Sequence, residues 1–472
     1  MKLRHNDIVI PDDGSDPFVH CKLDRKKYAG VLTSIVSGYS DGFVLAIDNT
    51  WGTGKTTFVK MWRQHLKNEE FQTLYFNAWE NDFQEEVIIA LLSELEELKH
   101  KAATNFNTLL EKTATFLKKV APSVAKGVVS KAIGDDAIGD IAQAATEFTT
   151  EEVELQIKNF SDKKKGIQDF RNVLEKFVQE VDDEKPVVFI IDELDRCRPS
   201  YAVEVLEQIK HLFSVPGIVF VLSIDKVQLG NAIRGFYGSD RIDADEYLRR
   251  FIDLEYKIPT PDIESFIEYL YEYFEFDQFI NAPERVKVEQ FQPDESILRT
   301  VALLLYTKSG FSLRQIEKRF ARIRLTLRAF NHQQFLFPEV IILLSYLDAK
   351  HSEVLDKIRN LSYSLQELIN ELDTILITLS TTNEEITSSR STMASLLCLY
   401  ETSCWNVLEI KPKGLFNHTN LLVPTLRITS KLDGSNDELL KIITFYKSNF
   451  HSPDKALNFI LDKYDLTENL RT

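Results

Sequence analysis

The stretch Phe43–Thr57 restricts the fold more than any other part of the chain. Six strand-like residues, Phe43–Asp48 (FVLAID), run through a short turn holding Gly52 and Gly54. Phe58, Val59, Trp62 and Leu66 then recur at helical spacing from Lys55 onward. A continuous apolar run bounded by such a turn is a strand buried on both faces, and the helix that follows must cover one of them. The segment satisfies GxxxxGK[ST] except that Asn49 stands at the first glycine. Asn tolerates left-handed backbone angles better than most residues, so Asn49 is expected to adopt a glycine-like conformation there. Gly52 and Gly54 let the backbone curl until successive N–H groups face a bound phosphate, and the positive end of the new helix adds to that attraction. Lys55 then bridges β- and γ-phosphates, and the Thr56 hydroxyl ligates Mg²⁺. Asn49, Trp51, Gly52, Thr53, Gly54, Lys55, Thr56 and Thr57 form the expected phosphate-binding set. The plain alternative is a glycine turn that merely enters a helix; the flanking strand and helix weigh against it.

A second strand supports this reading. Pro186–Asp192 (PVVFIID) is apolar and ends in Asp192 and Glu193. Beside a phosphate loop, Asp192 holds Mg²⁺ through water and Glu193 polarises the attacking water. An acid at the start of a helix would look the same in isolation. Thr73–Asn77, Ile218–Ser223 and Arg250–Ile258 are the remaining strands, with helices over about 25–37 and 201–213. This alternation predicts an α/β fold: a P-loop NTPase core with a parallel five-stranded sheet, followed by an all-α C-terminal region. The expected domains are a core over 1–261 with a helical insert at about 84–170, a helical lid module over 262–330, and a C-terminal helical domain over 331–472. Within the insert, 113–148 is loosely amphipathic and is broken at Pro122 and Gly134.

With 472 residues, 44% hydrophobic and 27% charged, the chain has room for more than one core. A net charge of −16 disfavours broad, sequence-blind binding to nucleic acid or anionic membrane. The four cysteines, Cys21, Cys197, Cys398 and Cys404, form no CxxC pair and read as ordinary thiols of a reducing compartment. The N-terminus lacks a signal-peptide pattern, and the longest apolar run, Val340–Leu347, is far too short to span a bilayer. A cytoplasmic location without membrane association is therefore expected.

WGTGKTTF (51–58), YFNAWE (75–80), IIDELDRCRP (190–199) and VFVLSID (219–225) together resemble the KAP P-loop NTPases, from roughly Asp24 to Leu325. That group includes plasmid phage-exclusion proteins and an ankyrin-repeat membrane scaffold. The sequence departs from it in having Asn49 for a usual glycine, and in an insert without the membrane helices many members carry. The resemblance, extended to AAA+-like relatives, implies roles for further residues. Ser223 and Asp225 take the place of a polar γ-phosphate sensor. Arg249 and Arg250 occupy the position of a trans-acting arginine finger. Arg314 resembles the lid arginine that contacts nucleotide. For each arginine a solvated helix face is the alternative. Asp195-Arg196 has the look of a family hallmark, although a local salt bridge at a helix start accounts for it equally. Asn77, Trp79 and Glu80 follow the second strand near the site edge, and core packing is the simpler account of Trp79. No [NT]KxD motif follows the fourth strand, which argues against GTP.

Two features bear on partners. Arg314, Lys318, Arg319, Arg322, Arg324 and Arg328 face a single acid, Glu317, a basic helix able to meet nucleic-acid phosphates or to line a nucleotide site or subunit interface. Val354, Ile358, Leu361, Leu365, Leu368, Leu372, Ile375 and Leu379 alternate in steps of four and three, suiting either an internal bundle or a coiled coil. The function expected is a Mg-ATP-hydrolysing switch of a homo-oligomer, with partner or effector proteins on the C-terminal helices and, by resemblance, antiphage defence as its biology. The rivals are a nucleic-acid-stimulated remodelling ATPase and a nucleotide-binding scaffold with little turnover. Lys55→Ala should weaken ATP binding at least about tenfold, since one charged hydrogen bond contributes about 1.5 kcal/mol or more. Calorimetric affinity equal to wild type would remove Lys55 from the phosphate site.

Overall fold

The computed structural model describes residues 9–39, 41–84, 86–115, 117, 150–259, 262–408, 416–417, 420–424, 428–433, 437–449 and 456–466. Most of the expected 113–148 element lies outside this set. Two compact units are present, one over Asp7–Pro259 and one formed chiefly by Thr260–Thr472.

In the first unit, α1 (Lys26–Gly38) leads to β1 (Phe43–Asp48), α2 (Lys55–Asn68) and β2 (Thr73–Asn77). After α3 (Val87–Leu95), a helical stretch over 103–115 and α4 (Thr150–Val181), the chain forms β3 (Val187–Asp192). The rest comprises α5 (Pro199–Gln208), β4 (Ile218–Ile224), α6 (Lys226–Tyr237), α7 (Ala244–Leu248) and β5 (Leu254–Lys257). The five strands are all parallel, in the order β2-β3-β4-β1-β5.

Strand periodicity explains the layers. Val44, Ala46, Phe189, Ile191, Phe220 and Leu222 face one way, against Leu91, Phe177, Tyr201 and Leu206 of the helices. Leu45, Ile47, Val188, Ile190, Val219 and Val221 face the other, against Leu32 and Val36 of α1 and Phe58 and Trp62 of α2. Both faces are apolar, so the strands read as continuous hydrophobic runs rather than as alternation. The register sets Asn77 beside Asp192 and Asp192 beside Ser223, which gathers three polar strand ends at the edge from which the phosphate loop leaves β1.

β5 is shorter than the expected Arg250–Ile258. Its upstream end is held by Asp253, which donates its N–H to Val44 O and accepts the Val44 N–H at its carboxylate, both at 2.9 Å. Its downstream end stops where the Ile258 backbone pairs with a side chain instead of a strand. The helix expected over 201–213 is α5, continued by a wider turn at Ile209–Phe213.

The second unit is mainly helical. Its elements include α8 (Ile263–Tyr273), α9 (Asp294–Thr307), α10 (Leu313–Arg328), α11 (Pro338–Lys350), α12 (Ser352–Arg359), α13 (Leu365–Leu379) and α14 (Asn383–Leu408). The apolar run Val340–Leu347 lies in α11, whose residues Pro338–Leu347 are buried on all sides, as a helix at the centre of a bundle must be. Arg285 is fully buried, ion-paired with Asp294, and donates to the carbonyls of His332 (3.2 Å) and Gln334 (2.9 Å).

Two features refine the reading of this region. An antiparallel pair, β6 (Phe416–Asn417) and β7 (Asn420–Pro424), interrupts the helices, so the region is not wholly α. The heptad-like seam from Val354 to Leu379 is not one helix. Leu361 has a left-handed φ of 51°, and a capping box of Ser364 and Glu367 starts α13 afresh. Ile358, Leu365, Leu368, Leu372 and Leu379 are buried inside the unit, which is bundle packing and not a coiled-coil seam. Part of the basic run is also held internally. Arg319 and Arg322 reach Asp348 at 2.5 and 2.7 Å, and Arg324 donates to Phe274 O at 2.6 Å.

Candidate nucleotide-binding site

β1 delivers the chain to the loop, and side chains from several directions then hold it. The Asn49 carboxamide accepts the Ile258 N–H at 2.8 Å and donates to the Ile258 carbonyl at 2.9 Å. Asn49 is not among the residues of positive φ, which corrects the expectation of a glycine-like backbone. It extends the sheet ladder through its side chain, a task glycine cannot perform. Left-handed geometry falls on Gly52 and Gly54, both with φ 79°. The Trp51 N–H is taken by Asp225 Oδ2 at 3.2 Å, and its indole N–H by the Asp195 carboxylate. Behind the loop, the buried Arg25 guanidinium donates to Thr53 O at 2.5 Å and to Gly54 O at 2.9 Å. A Cβ at residue 54 would lie 3.2 Å from Arg25 Nη1 as well as straining the backbone. Lys55 Nζ donates to the carbonyls of Asn49 and, at 3.4 Å, Thr50. Burial pushes the Lys55 pKa down, and Asp195, Asp225, Asp192 and Asp48 oppose that by favouring the charge.

The acidic side is built at the end of β3. Asp192 is 1% exposed; Oδ1 accepts the Glu193 N–H at 3.0 Å and Oδ2 the Tyr75 hydroxyl at 2.9 Å. Glu193 follows in a left-handed conformation, φ 60°, which turns the chain from strand into the short helix Leu194–Arg196. Its Oε1 meets Arg196 Nη1 at 3.0 Å, and that guanidinium lies 5.8 Å from the centre of the Trp79 ring. Burial raises the Glu193 pKa, Arg196 counters it, and Asp192, Asp195 and Glu80 add to the rise. Trp79 is 53% exposed, so it is not a core residue as expected. Asn77 accepts the N–H groups of Trp79 and Glu80 at 3.2 and 3.3 Å and shapes that turn. Ser223 Oγ is fully buried next to Asp192 in register and has no hydrogen-bond partner among the described residues. A buried carboxylate and an orphaned hydroxyl at one strand edge, with Asp192 near enough to Lys55 to favour its charge, fit a Mg²⁺–phosphate group.

A family model, the KAP family P-loop domain, matches residues 25–379. The chain belongs to the KAP family. A comparison with curated proteins gives no match. Among solved structures, the Aeropyrum pernix ORC2 protein in ADPNP-ADP complexes is 14% identical, with 95% of this chain and 94% of that one covered and a TM-score of 0.33. Its ADP form is 12% identical, with 98% and 97% covered and a TM-score of 0.30. Superposition at that level adds nothing to the case made by the site itself.

The remaining residues of this KAP-family site divide by what holds them. Asp225 caps α6 with Oδ1, accepting from Val227 (3.1 Å) and Gln228 (3.3 Å), while Oδ2 restrains Trp51. Its visible work is to position the loop. Arg249 and Arg250 are exposed and precede β5; Arg249 pairs with Glu246 at 3.2 Å. Arg314 is exposed in the first turn of α10, in the second unit. Arg25 has no role in the sequence reading and Tyr75 enters it only within YFNAWE, because an arginine before an amphipathic helix and a tyrosine in a strand carry no local spacing signal. The family match nevertheless begins at Arg25. Among the described residues no helix is long and apolar enough to cross a membrane.

The Asn49 clamp generates a prediction that opposes the consensus motif. Asn49→Gly restores the motif glycine but removes two buried hydrogen bonds, each of about 0.5–1.5 kcal/mol. It should lower Tm by several degrees and weaken nucleotide binding. Equal or higher Tm by calorimetry would show that the clamp contributes nothing.

Proposed function

We propose that this chain binds Mg-ATP, hydrolyses it, and uses the change to switch a homo-oligomeric assembly, with antiphage defence as its biological setting. The observation that carries the reading is the pair at the end of β3: a buried, doubly hydrogen-bonded Asp192 followed by a strained, half-buried Glu193. Strained backbone at a polar strand end is characteristic of working sites.

Bound Mg²⁺, held by Thr56 and by Asp192 through water, would neutralise charge on the β- and γ-phosphate oxygens. The loop N–H groups and Lys55 orient the phosphates, and Ser223 offers its hydroxyl to the γ-phosphate or the attacking water. Glu193 takes a proton from that water as its oxygen bonds to the γ-phosphorus and the bond to the β–γ bridging oxygen breaks, giving ADP and phosphate. ATP is preferred to GTP because no base-reading [NT]KxD follows β4.

Assembly enters through Arg249 and Arg250. They precede the upstream end of β5, whereas the phosphate loop leaves the downstream end of β1. Four β5 residues separate those levels, about 13 Å at ~3.3 Å per residue. This placement suits donation to a neighbouring subunit's site. The helices of the second unit would receive partner or effector proteins. A nucleic-acid role is less favoured, since Arg319, Arg322 and Arg324 are bonded within that unit.

Glu193→Gln should retain ATP and Mg²⁺ yet lose turnover at least a hundredfold, the low end for a general base. Normal turnover would move the base elsewhere. Turnover per subunit should rise steeply with protein concentration, and Arg249→Ala or Arg250→Ala should lower it by up to ~10³ with ATP affinity intact. Mixing Glu193→Gln with an arginine variant should restore activity, because an intact Glu193 can then meet an intact arginine from its neighbour. Concentration-independent turnover with no recovery on mixing would leave these arginines as solvated surface. Loss of phage protection in cells carrying Glu193→Gln tests the biological setting.

A further inference from the structure

Arg25 is a buried cation from which the fold itself gains little. It is 4% exposed, and among the described residues no carboxylate pairs with it and its Nε has no hydrogen-bond partner. A guanidinium withdrawn from water without a counter-charge is costly, and a well-packed apolar side chain would be easier to bury. What Arg25 does hold is the phosphate loop: Nη2 donates to Thr53 O at 2.5 Å and Nη1 to Gly54 O at 2.9 Å. Each peptide is trans and planar, so a carbonyl aimed at Arg25 sends the N–H of the same peptide, that of Gly54 or of Lys55, the opposite way. Gly54 O also accepts the Phe58 N–H at 3.1 Å, which ties this contact to the first turn of α2, where Lys55 and Thr56 stand. The arginine is itself anchored. It immediately precedes α1, and its carbonyl accepts the N–H groups of Tyr28 (3.1 Å) and Ala29 (3.3 Å). Thr33 of the same helix accepts the indole N–H of Trp62 in α2 at 3.0 Å.

We infer that Arg25 is a positioning residue for the phosphate loop, fixing two successive peptide planes so that the Gly54 and Lys55 N–H groups point toward a bound phosphate. The inference rests on the nucleotide-binding reading above. Successive N–H groups aimed to one side form a nest for an anion, and each plane held beforehand is one less to order on binding. The two carbonyls are met by different nitrogens of one planar fork, so the guanidinium sets both planes at once. An ammonium is a single point of charge and cannot impose that geometry. Arg25 thus acts from the carbonyl side of the loop, through the peptides rather than on the phosphate.

Arg25→Met keeps an apolar stem and removes the fork. By calorimetry it should weaken binding of Mg-ADP and of pyrophosphate by a similar factor, roughly tenfold. Its ligand-free Tm should equal the wild-type value or exceed it, because an unpaired buried charge is gone. Amide hydrogen exchange over 50–58 in the ligand-free protein should speed up, while β3 and β4 exchange as before. Arg25→Lys should bind both probes with intermediate affinity. A purely structural role would lower Tm and leave the affinity of the folded variant alone, so unchanged ADP and pyrophosphate affinity in folded Arg25→Met overturns the assignment. Should Arg25→Met not fold, Arg25→Lys decides: wild-type affinity shows that the fork is unnecessary and overturns it, whereas intermediate affinity at wild-type Tm upholds it. A wild-type chain that binds neither ADP nor pyrophosphate brings down the nucleotide reading by itself. The positioning role then stands or falls on whether exchange over 50–58 rises in Arg25→Met.

Discussion

Two hydrogen bonds from the Asn49 carboxamide to the Ile258 backbone determine where the phosphate loop begins. β1 lies between β4 and β5, so its end is the natural pivot for a loop that must leave the sheet without fraying it. The carboxamide completes the ladder between β1 and β5 one residue beyond the strand, and the loop can then depart at Thr50. From the other side, Arg25 gathers the carbonyls of Thr53 and Gly54, which turns their peptide planes so that the N–H groups face away from it. Burying a guanidinium is costly and pushes the Arg25 pKa down. Two carbonyl acceptors offset part of that cost, and the guanidinium in return braces the loop from behind.

The same logic separates what could be read along the chain from what could not. β1, β2 and the P-loop helix were legible because each is a local pattern: an apolar run of strand length, or side chains at helical spacing. The acids at the end of β3 were legible because a buried strand ending in Asp192-Glu193 is chemically conspicuous. The task of Asn49 is hidden from local sequence, since its partner, Ile258, is 209 residues away. Arg25 was passed over on the same ground. Trp79 is not legible as a surface residue because its partner, Arg196, lies in the short helix after β3, and aromatic character alone argues for the core. The seam from Val354 to Leu379 kept its spacing across a left-handed Leu361, so periodicity survived where helical continuity did not.

Charge follows a similar division. A net −16 reads as repulsion toward polyanions, yet individual cations are committed to specific internal partners. Arg25 and Lys55 bond to the loop, Arg196 pairs with Glu193, and Arg319 and Arg322 converge on Asp348 within the second unit. The basic face of α10 is thereby reduced to Arg314, Lys318 and Arg328 at its exposed positions. Half of the basic run on this helix is an internal fastener.

The strained turn at Glu193 connects these themes. A non-glycine residue at φ 60° costs on the order of 1–3 kcal/mol, and such a cost persists only where surrounding contacts over-determine it. Here the contacts can be named. The Glu193 N–H is taken by Asp192, its carboxylate by Arg196, and two residues on, Asp195 receives the Trp51 indole. That last bond ties the acidic turn directly to the phosphate loop. Asp195 is buried enough for its pKa to be raised, and the indole N–H works against that rise. Separating loop and turn would therefore leave a buried carboxylate short of a donor, which is expensive in a low-dielectric site. The phosphate loop and the acidic turn are thus fastened to each other by the protein's own side chains.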